Sequence, residues 1–199
     1  HPGVITGKPI AIGGSEGRGD ATARGGIYIV REAAKAHGIA LEGATMAIQG
    51  FGNAGQYGAL LGEEVLGLKL VSACDSTSAV YNPKGLDVRA LVAHKKATGS
   101  LKGFPEADAL KPDEVLEIEA TVLFPSALEN SITVDNASKL KCRISCELAN
   151  GPTTPDADRI LFDRGVVVLP DFLANAGGVT VSYFEQVQAN MNYFWEKDE

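Results

Sequence analysis

The sharpest chemical signal in the chain is the hexapeptide Gly50-Phe51-Gly52-Asn53-Ala54-Gly55. Its glycine spacing, G-x-G-x-x-G, suits a turn that carries backbone against phosphate. Gly50 permits the tight turn, Gly52 leaves the backbone bare so that a pyrophosphate can approach, and Gly55 lets a helix pack close to the strand before it. The amides of the first helical turn would then face the phosphates, and the helix dipole favours their charge. Alone, the hexapeptide is weak, because a glycine-rich turn also serves simply to reverse a chain. Its context is what the fingerprint requires. An apolar run, Thr45-Met46-Ala47-Ile48-Gln49, precedes it, a helical pattern follows, and a second apolar run ends at Asp75, 20 residues after Gly55. A carboxylate there accepts hydrogen bonds from ribose hydroxyls and repels a 2′-phosphate, which favours NAD over NADP. No arginine follows it; Ser76, Thr77 and Lys84 offer donors to a phosphate, so NADP stays open.

These residues need a scaffold, and the rest of the pattern predicts one. A glycine-rich loop over residues 6–19 leads into a helix at 21–37, with Gly38 as its left-handed cap. Strands are predicted at 45–49, 68–74, 78–81 (an edge strand), 121–124, 143–147 and 166–169. Helices are predicted at 53–66, 87–97, 112–118, 134–140 and 155–163, the last started by Thr154-Pro155. A final helix is predicted from 179 to 195, within a C-terminal region reaching 199. Strands alternating with helices predict an α/β fold: a Rossmann-like, doubly wound, mostly parallel sheet with helices on both faces. The 199 residues fit one domain.

Composition narrows the function. A net charge of −7 argues against a nucleic-acid footprint, which needs a basic face. No run approaches the ~20 apolar residues of a membrane helix, and no signal peptide is visible, since His1-Pro2-Gly3 lacks a basic n-region and an apolar h-region. Cys74, Cys142 and Cys146 have no disulfide-framework spacing and read as reduced core residues of a cytoplasmic protein. His1, His37 and His94 are scattered and match no zinc spacing.

Several stretches have no explanation from fold alone. Thr6-Gly7-Lys8-Pro9 leads to Gly13-Gly14-Ser15-Glu16-Gly17-Arg18, with Ala21-Thr22 close behind. Phe124-Pro125-Ser126-Ala127-Leu128-Glu129-Asn130, Glu147-Leu148-Ala149-Asn150-Gly151-Pro152 and the long run from Leu169 to Glu185, with Asn175-Ala176-Gly177-Gly178-Val179-Thr180-Val181-Ser182-Tyr183 inside it, each follow a predicted strand. That is the sheet edge where open α/β folds bind ligands. Together, from Thr6 to Trp195 and in order, these segments resemble the glutamate dehydrogenases among the glutamate, leucine, phenylalanine and valine dehydrogenases.

The resemblance implies roles residue by residue. It puts Arg18, Thr22 and Asn53 at the nicotinamide end, Ala127 along the adenosine and ribose, and Asn150 and Asn175 beside the nicotinamide ribose or ring. It puts Val179 and Ser182 toward the substrate, with Ser182 a donor to the γ-carboxylate of glutamate. It further implies reversible conversion of glutamate to 2-oxoglutarate and ammonia, and a homo-hexamer. The family's catalytic lysine and aspartate have no counterpart here, so the chain is expected to bind cofactor without catalysing. Two departures stand out: Ala54 where valine is usual, and Ser78-Ala79 where glycines are frequent. Two alternatives stay open. A leucine, valine or phenylalanine dehydrogenase would carry an apolar residue where Ser182 stands, and a non-catalytic dinucleotide-binding module would share the glycine turn.

Overall fold

The computed structural model describes residues 1–196. Seven strands form one sheet in the order β4-β3-β2-β1-β5-β6-β7. They are β1 (Thr45–Gln49), β2 (Lys69–Cys74), β3 (Ala79–Tyr81), β4 (Asp108–Leu110), β5 (Val122–Pro125), β6 (Ile144–Cys146) and β7 (Val167–Leu169). The five from β2 through β1 to β7 run parallel, and β3 and β4 add antiparallel at one side. The chain leaves β1 toward β2 and returns to β5 on β1's other flank. This reversal opens a crevice at the carboxyl end of β1, the place where such sheets bind ligands.

Period-two alternation explains why both faces are covered. In β1, Met46 and Ile48 point into one apolar cluster and Ala47 into the other. In β5, Val122 and Phe124 take the first face and Leu123 the second. The first face is roofed by α1 (Ala21–Ala36), α2 (Asn53–Leu66) and α3 (Val88–Thr98). The second is covered by α4 (Pro155–Asp163) and by 3-10 turns at Pro112–Glu117 and Ala137–Lys139. The Arg164 guanidinium ties this thinner layer together by donating to Ala137 O at 2.7 Å and Leu140 O at 2.6 Å. A one-turn helix, α5 (Asp171–Ala174), then leads into α6 (Ala176–Met191), which packs on α1.

The caps follow the sequence. Gly38 and Gly67 take left-handed conformations, at φ 61° and 65°, after α1 and α2. The Thr154 side chain accepts from the Ala157 amide at the start of α4. All three cysteines are buried and free, and burial pushes the thiols of Cys74 and Cys142 up to about 11, so they pack rather than react.

Four expectations are corrected. The strand at 79–81 is not an edge, because β4, which the sequence did not suggest, pairs outside it. The helices expected at 112–118 and 134–140 are short 3-10 turns. The last helix starts at Ala176 rather than 179. It ends at Met191 rather than 195 because Asn192 turns left-handed, at φ 54°. Residues 197–199 of the expected C-terminal region lie outside the described residues.

Phe124 is fully buried on the strand beside β1. Phe124→Ala is expected to cost about 3–5 kcal/mol through lost burial and a cavity, read as a lower urea midpoint with an unchanged slope.

Candidate functional site

The glycine turn sits at the sheet reversal, held by the end of β2. The Gly50 and Phe51 amides both donate to Cys74 O, at 3.1 and 2.7 Å. Gly50 has φ 95°, and a Cβ there would lie 2.6 Å from the Ala127 Cβ, so only glycine lets the β1 and β5 loops meet. A Cβ at Gly55 would strike the Gly50 carbonyl. Gly52 differs: its φ is −85°, and a Cβ would meet nothing within 4 Å. It faces open space, and no side chain caps the start of α2 behind it. A bare backbone beside an uncapped helix start is a cradle for an anion. Asn53 Nδ2 donates to Gly19 O at 3.0 Å, linking this turn to the segment that begins α1.

Asp75 ends β2 as expected, but six donors from the protein already surround its carboxylate. Oδ1 accepts from the amides and hydroxyls of Thr77 and Ser78, at 2.9–3.2 Å. Oδ2 accepts from Lys95 Nζ at 2.6 Å and the Leu101 amide at 2.8 Å. Burial pushes the carboxyl up, but the Lys95 ammonium, the two amides and the Thr77 hydroxyl outweigh it and hold the carboxyl well below its usual range. Ser76 beside it is exposed. Lys95 carried no local signal, since it reaches Asp75 from α3.

A second feature lies at the other end of the crevice. A cleft of about 470 Å³ is lined by six residues the resemblance implicates (Arg18, Thr22, Asn150, Asn175, Val179 and Ser182), together with Thr6, Leu148 and Gly178. The Arg18 Nε donates to Ser182 Oγ at 2.9 Å, which leaves the serine hydroxyl proton free for a ligand. Asn175 Nδ2 donates to Asn150 Oδ1 at 2.7 Å, so the two amides form one unit. A Cβ at Gly178 would collide with Thr22 Oγ1, which is why α6 can approach α1 here. The glycine turn, Asp75, Ser76 and Ala127 stand outside this lining, along the ends of β1, β2 and β5.

Comparison with known proteins decides the family. The profile of the Glutamate/Leucine/Phenylalanine/Valine dehydrogenases matches residues 13–199. The chain belongs to this family. It is 48% identical to the glutamate dehydrogenase of Thermotoga maritima over 197 residues, covering 99% of this chain and 47% of that one. It is 46% identical to the NAD-specific glutamate dehydrogenase of Staphylococcus aureus strain COL, covering 100% of this chain and 47% of that one. The chain thus spans about half the length of these relatives. Among solved structures, the hetero-hexameric glutamate dehydrogenase of Thermus thermophilus in its Leu-bound form superposes with a TM-score of 0.93 at 40% identity, over 99% of this chain and 46% of that one. The glutamate dehydrogenase of Peptoniphilus asaccharolyticus gives 0.80 at 40% identity, over 97% and 45%.

Beneath the asparagine pair of this dehydrogenase-family chain runs a polar support that the sequence did not reveal. Buried Glu147, just after β6, accepts the Asp171 amide at 3.0 Å, and Asp171 Oδ2 accepts the Gly151 amide at 2.8 Å. The loop carrying Asn150 is thereby fastened to α5. Glu147 Oε1 and the nearby Thr153 Oγ1 are buried without a well-formed hydrogen bond. Burial pushes the Glu147 carboxyl up, the carboxylates of Asp171 and Asp158 add to this, and Thr153 and the Asp171 amide only partly oppose it. A carboxyl raised on folding stabilises the fold below its unfolded value, and that contribution disappears as pH rises through the folded value. Glu147→Gln keeps the shape without the charge. Its melting temperature is expected to fall less than the wild type's between pH 5 and pH 9; an equal or steeper fall would show that Glu147 is ionised throughout.

Proposed function

We propose that this chain is the NAD-binding domain of a glutamate dehydrogenase, with residues 1–20 and the C-terminal region from 179 onward joining it to a substrate domain. The observation that carries this reading is the row of binding groups along the carboxyl ends of the parallel strands. It runs from Asp75, past the open backbone at Gly52, to the cleft where Arg18 and Ser182 converge. In this reading Gly52, Asn53, Ala54 and Gly55 receive the pyrophosphate on backbone amides, and Gly50 shapes the turn that presents them. Asp75, Ser76 and Ala127 receive the adenosine ribose. Arg18, Thr22, Asn150 and Asn175 orient the nicotinamide end. Val179 and Ser182 face the substrate, where the Ser182 proton and the Arg18 charge suit the γ-carboxylate of glutamate better than an aliphatic tip. When bound, the nicotinamide takes the hydride from the substrate Cα. The groups that move protons on glutamate, 2-oxoglutarate and ammonia are assigned to the other half of the relatives' length. The whole protein is proposed to be a cytoplasmic homo-hexamer.

Gly52 offers a clean test, because a side chain there meets no protein atom and its φ suits any residue. The wild-type chain is expected to bind NAD in titration calorimetry, and Gly52→Val is expected to fold normally and lose that binding. Unchanged affinity in a folded Gly52→Val variant would remove the glycine turn from the site.

Cofactor choice is assigned to Asp75 together with Lys95. The carboxylate repels a 2′-phosphate and neutralises the Lys95 ammonium that contacts it. Its longest contact, the Ser78 hydroxyl at 3.2 Å, is the one a ribose hydroxyl would displace. NAD is therefore preferred, in line with the name of the S. aureus relative. Asp75→Ser removes the repulsion and frees Lys95 for a phosphate. The ratio of NAD to NADP affinity is expected to fall by about tenfold or more, the scale of one charge-assisted hydrogen bond. A ratio that does not move would mean that neither residue reads the 2′ position.

A further inference from the structure

The segment before α1 has little regular structure, only 3-10 turns at Pro2–Val4 and Ile10–Ile12. Apolar burial does not hold it, since Val4, Ile5, Ile10 and Ile12 are all exposed. What holds its middle is one carboxylate on α6. Glu185 has no exposed surface, and it accepts the Gly7 amide at 2.8 Å, the Lys8 amide at 3.1 Å and Lys8 Nζ at 2.7 Å. Lys8 Nζ also donates to Ile5 O at 2.7 Å, so the ammonium folds its own loop around the acid. Burial works against the charged form, but the Lys8 ammonium and the two amides overcome it and keep Glu185 ionised. One turn away on the same helix, Gln188 Nε2 donates to Gly14 O at 3.3 Å. Three residues before Glu185 stands Ser182, and Thr6, immediately before Gly7, lines the same cleft as Ser182, Thr22 and Asn175.

We infer that Glu185 is the latch that fixes the N-terminal segment on α6 and so positions Thr6 as a wall of the nicotinamide end of the cleft. A buried carboxylate with three donors is stable only while all three stay in place, because an ionised oxygen left unpaired in the interior is costly. The latch is thus all-or-none: either the segment is seated and the wall is present, or the segment lifts and Glu185 is hydrated. The adenosine end, built on β1, β2 and α2, meets the segment before α1 at Gly19, through Asn53 Nδ2, and not at the residues that Glu185 holds. The inference about the wall rests on the proposed cofactor reading; the latch itself does not.

Two variants of the 199-residue chain test it: Glu185→Gln, which removes the charge, and Lys8→Met, which leaves the two amide bonds. Hydrogen exchange is measured by peptide, alongside calorimetric titration with NAD and with AMP, which carries only the adenosine half. Glu185→Gln is expected to speed exchange across residues 6–15 by about tenfold or more, the scale of losing a charge-assisted hydrogen bond. Lys8→Met, which strips the buried carboxylate of its cation, should do so at least as strongly, with protection in β1 and α2 unchanged. NAD affinity should drop several-fold in Glu185→Gln, with AMP affinity held within about twofold. Unchanged exchange at residues 6–15 in both variants would overturn the latch. Equal losses of NAD and AMP would overturn the positioning of the wall. If Glu185→Gln does not fold, Lys8→Met decides by the same exchange comparison. A wild-type chain that binds neither NAD nor AMP would remove the cofactor reading, while the exchange measurement would still decide the latch.

Discussion

The close crossing of α1 and α6 is the contact on which the rest of the site depends. A Cβ at Gly25 would lie 3.2 Å from the Gly177 amide nitrogen, and one at Gly177 would collide with the Ala21 carbonyl. Only backbone separates the helices at this point, so they approach more closely than ordinary side chains allow. That approach brings Arg18, just before α1, onto Ser182, and Thr22 against Gly178. It also places α6 where Glu185 and Gln188 can reach back to the N-terminal segment. Larger residues at the crossing would separate the helices, and the cleft would lose its far wall.

The two ends of the crevice are built on different electrostatic plans. At the β2 end the protein supplies the partners itself: Asp75 is saturated, and its loop is already shaped. In the middle, at Gly52, the backbone is left bare and the start of α2 uncapped. A chain with net charge −7 can still receive a phosphate there, because backbone amides and a helix dipole act over a few ångströms, whereas net charge is screened beyond about 10 Å. At the α6 end, Arg18 is only partly satisfied by a neutral serine, so charge and donors remain for a ligand. Pre-organisation at one end with spare hydrogen-bonding capacity at the other suits a site that holds a cofactor and must still take up a substrate.

The asparagines show how secondary contacts hold an irregular loop in place. Asn150 follows β6 in a stretch whose backbone is neither helix nor strand. It is steady because Gly151 is tied to Asp171 and Asp171 to Glu147. Each link places a carboxylate where it accepts a backbone amide that would otherwise be unpaired. The charge of Glu147 is poorly relieved there, and its raised protonation range is the consequence.

The sequence by itself determined the main architecture. Strands alternating with helices, and wholly apolar runs such as Met46-Ala47-Ile48 and Val122-Leu123-Phe124, already implied a sheet covered on both faces, and the glycine spacing located the tight turn after β1. Those signals are legible because they are local: a strand's two faces and a turn's backbone angles are set by neighbours along the chain. Local patterns misjudged the 3-10 turns and the last helix, where packing and the left-handed Asn192 set the boundaries. They missed β4 as well, because a three-residue antiparallel strand has too few residues to show alternation and exists only through its pairing with β3. Tertiary structure alone decided which polar groups meet. Lys95 reaches Asp75 across 20 residues, Arg18 reaches Ser182 across 164, and Gly7 reaches Glu185 across 178. Spacing along a chain carries no record of such pairs, because they are selected by how helices cross and by the cost of leaving a buried charge unpaired.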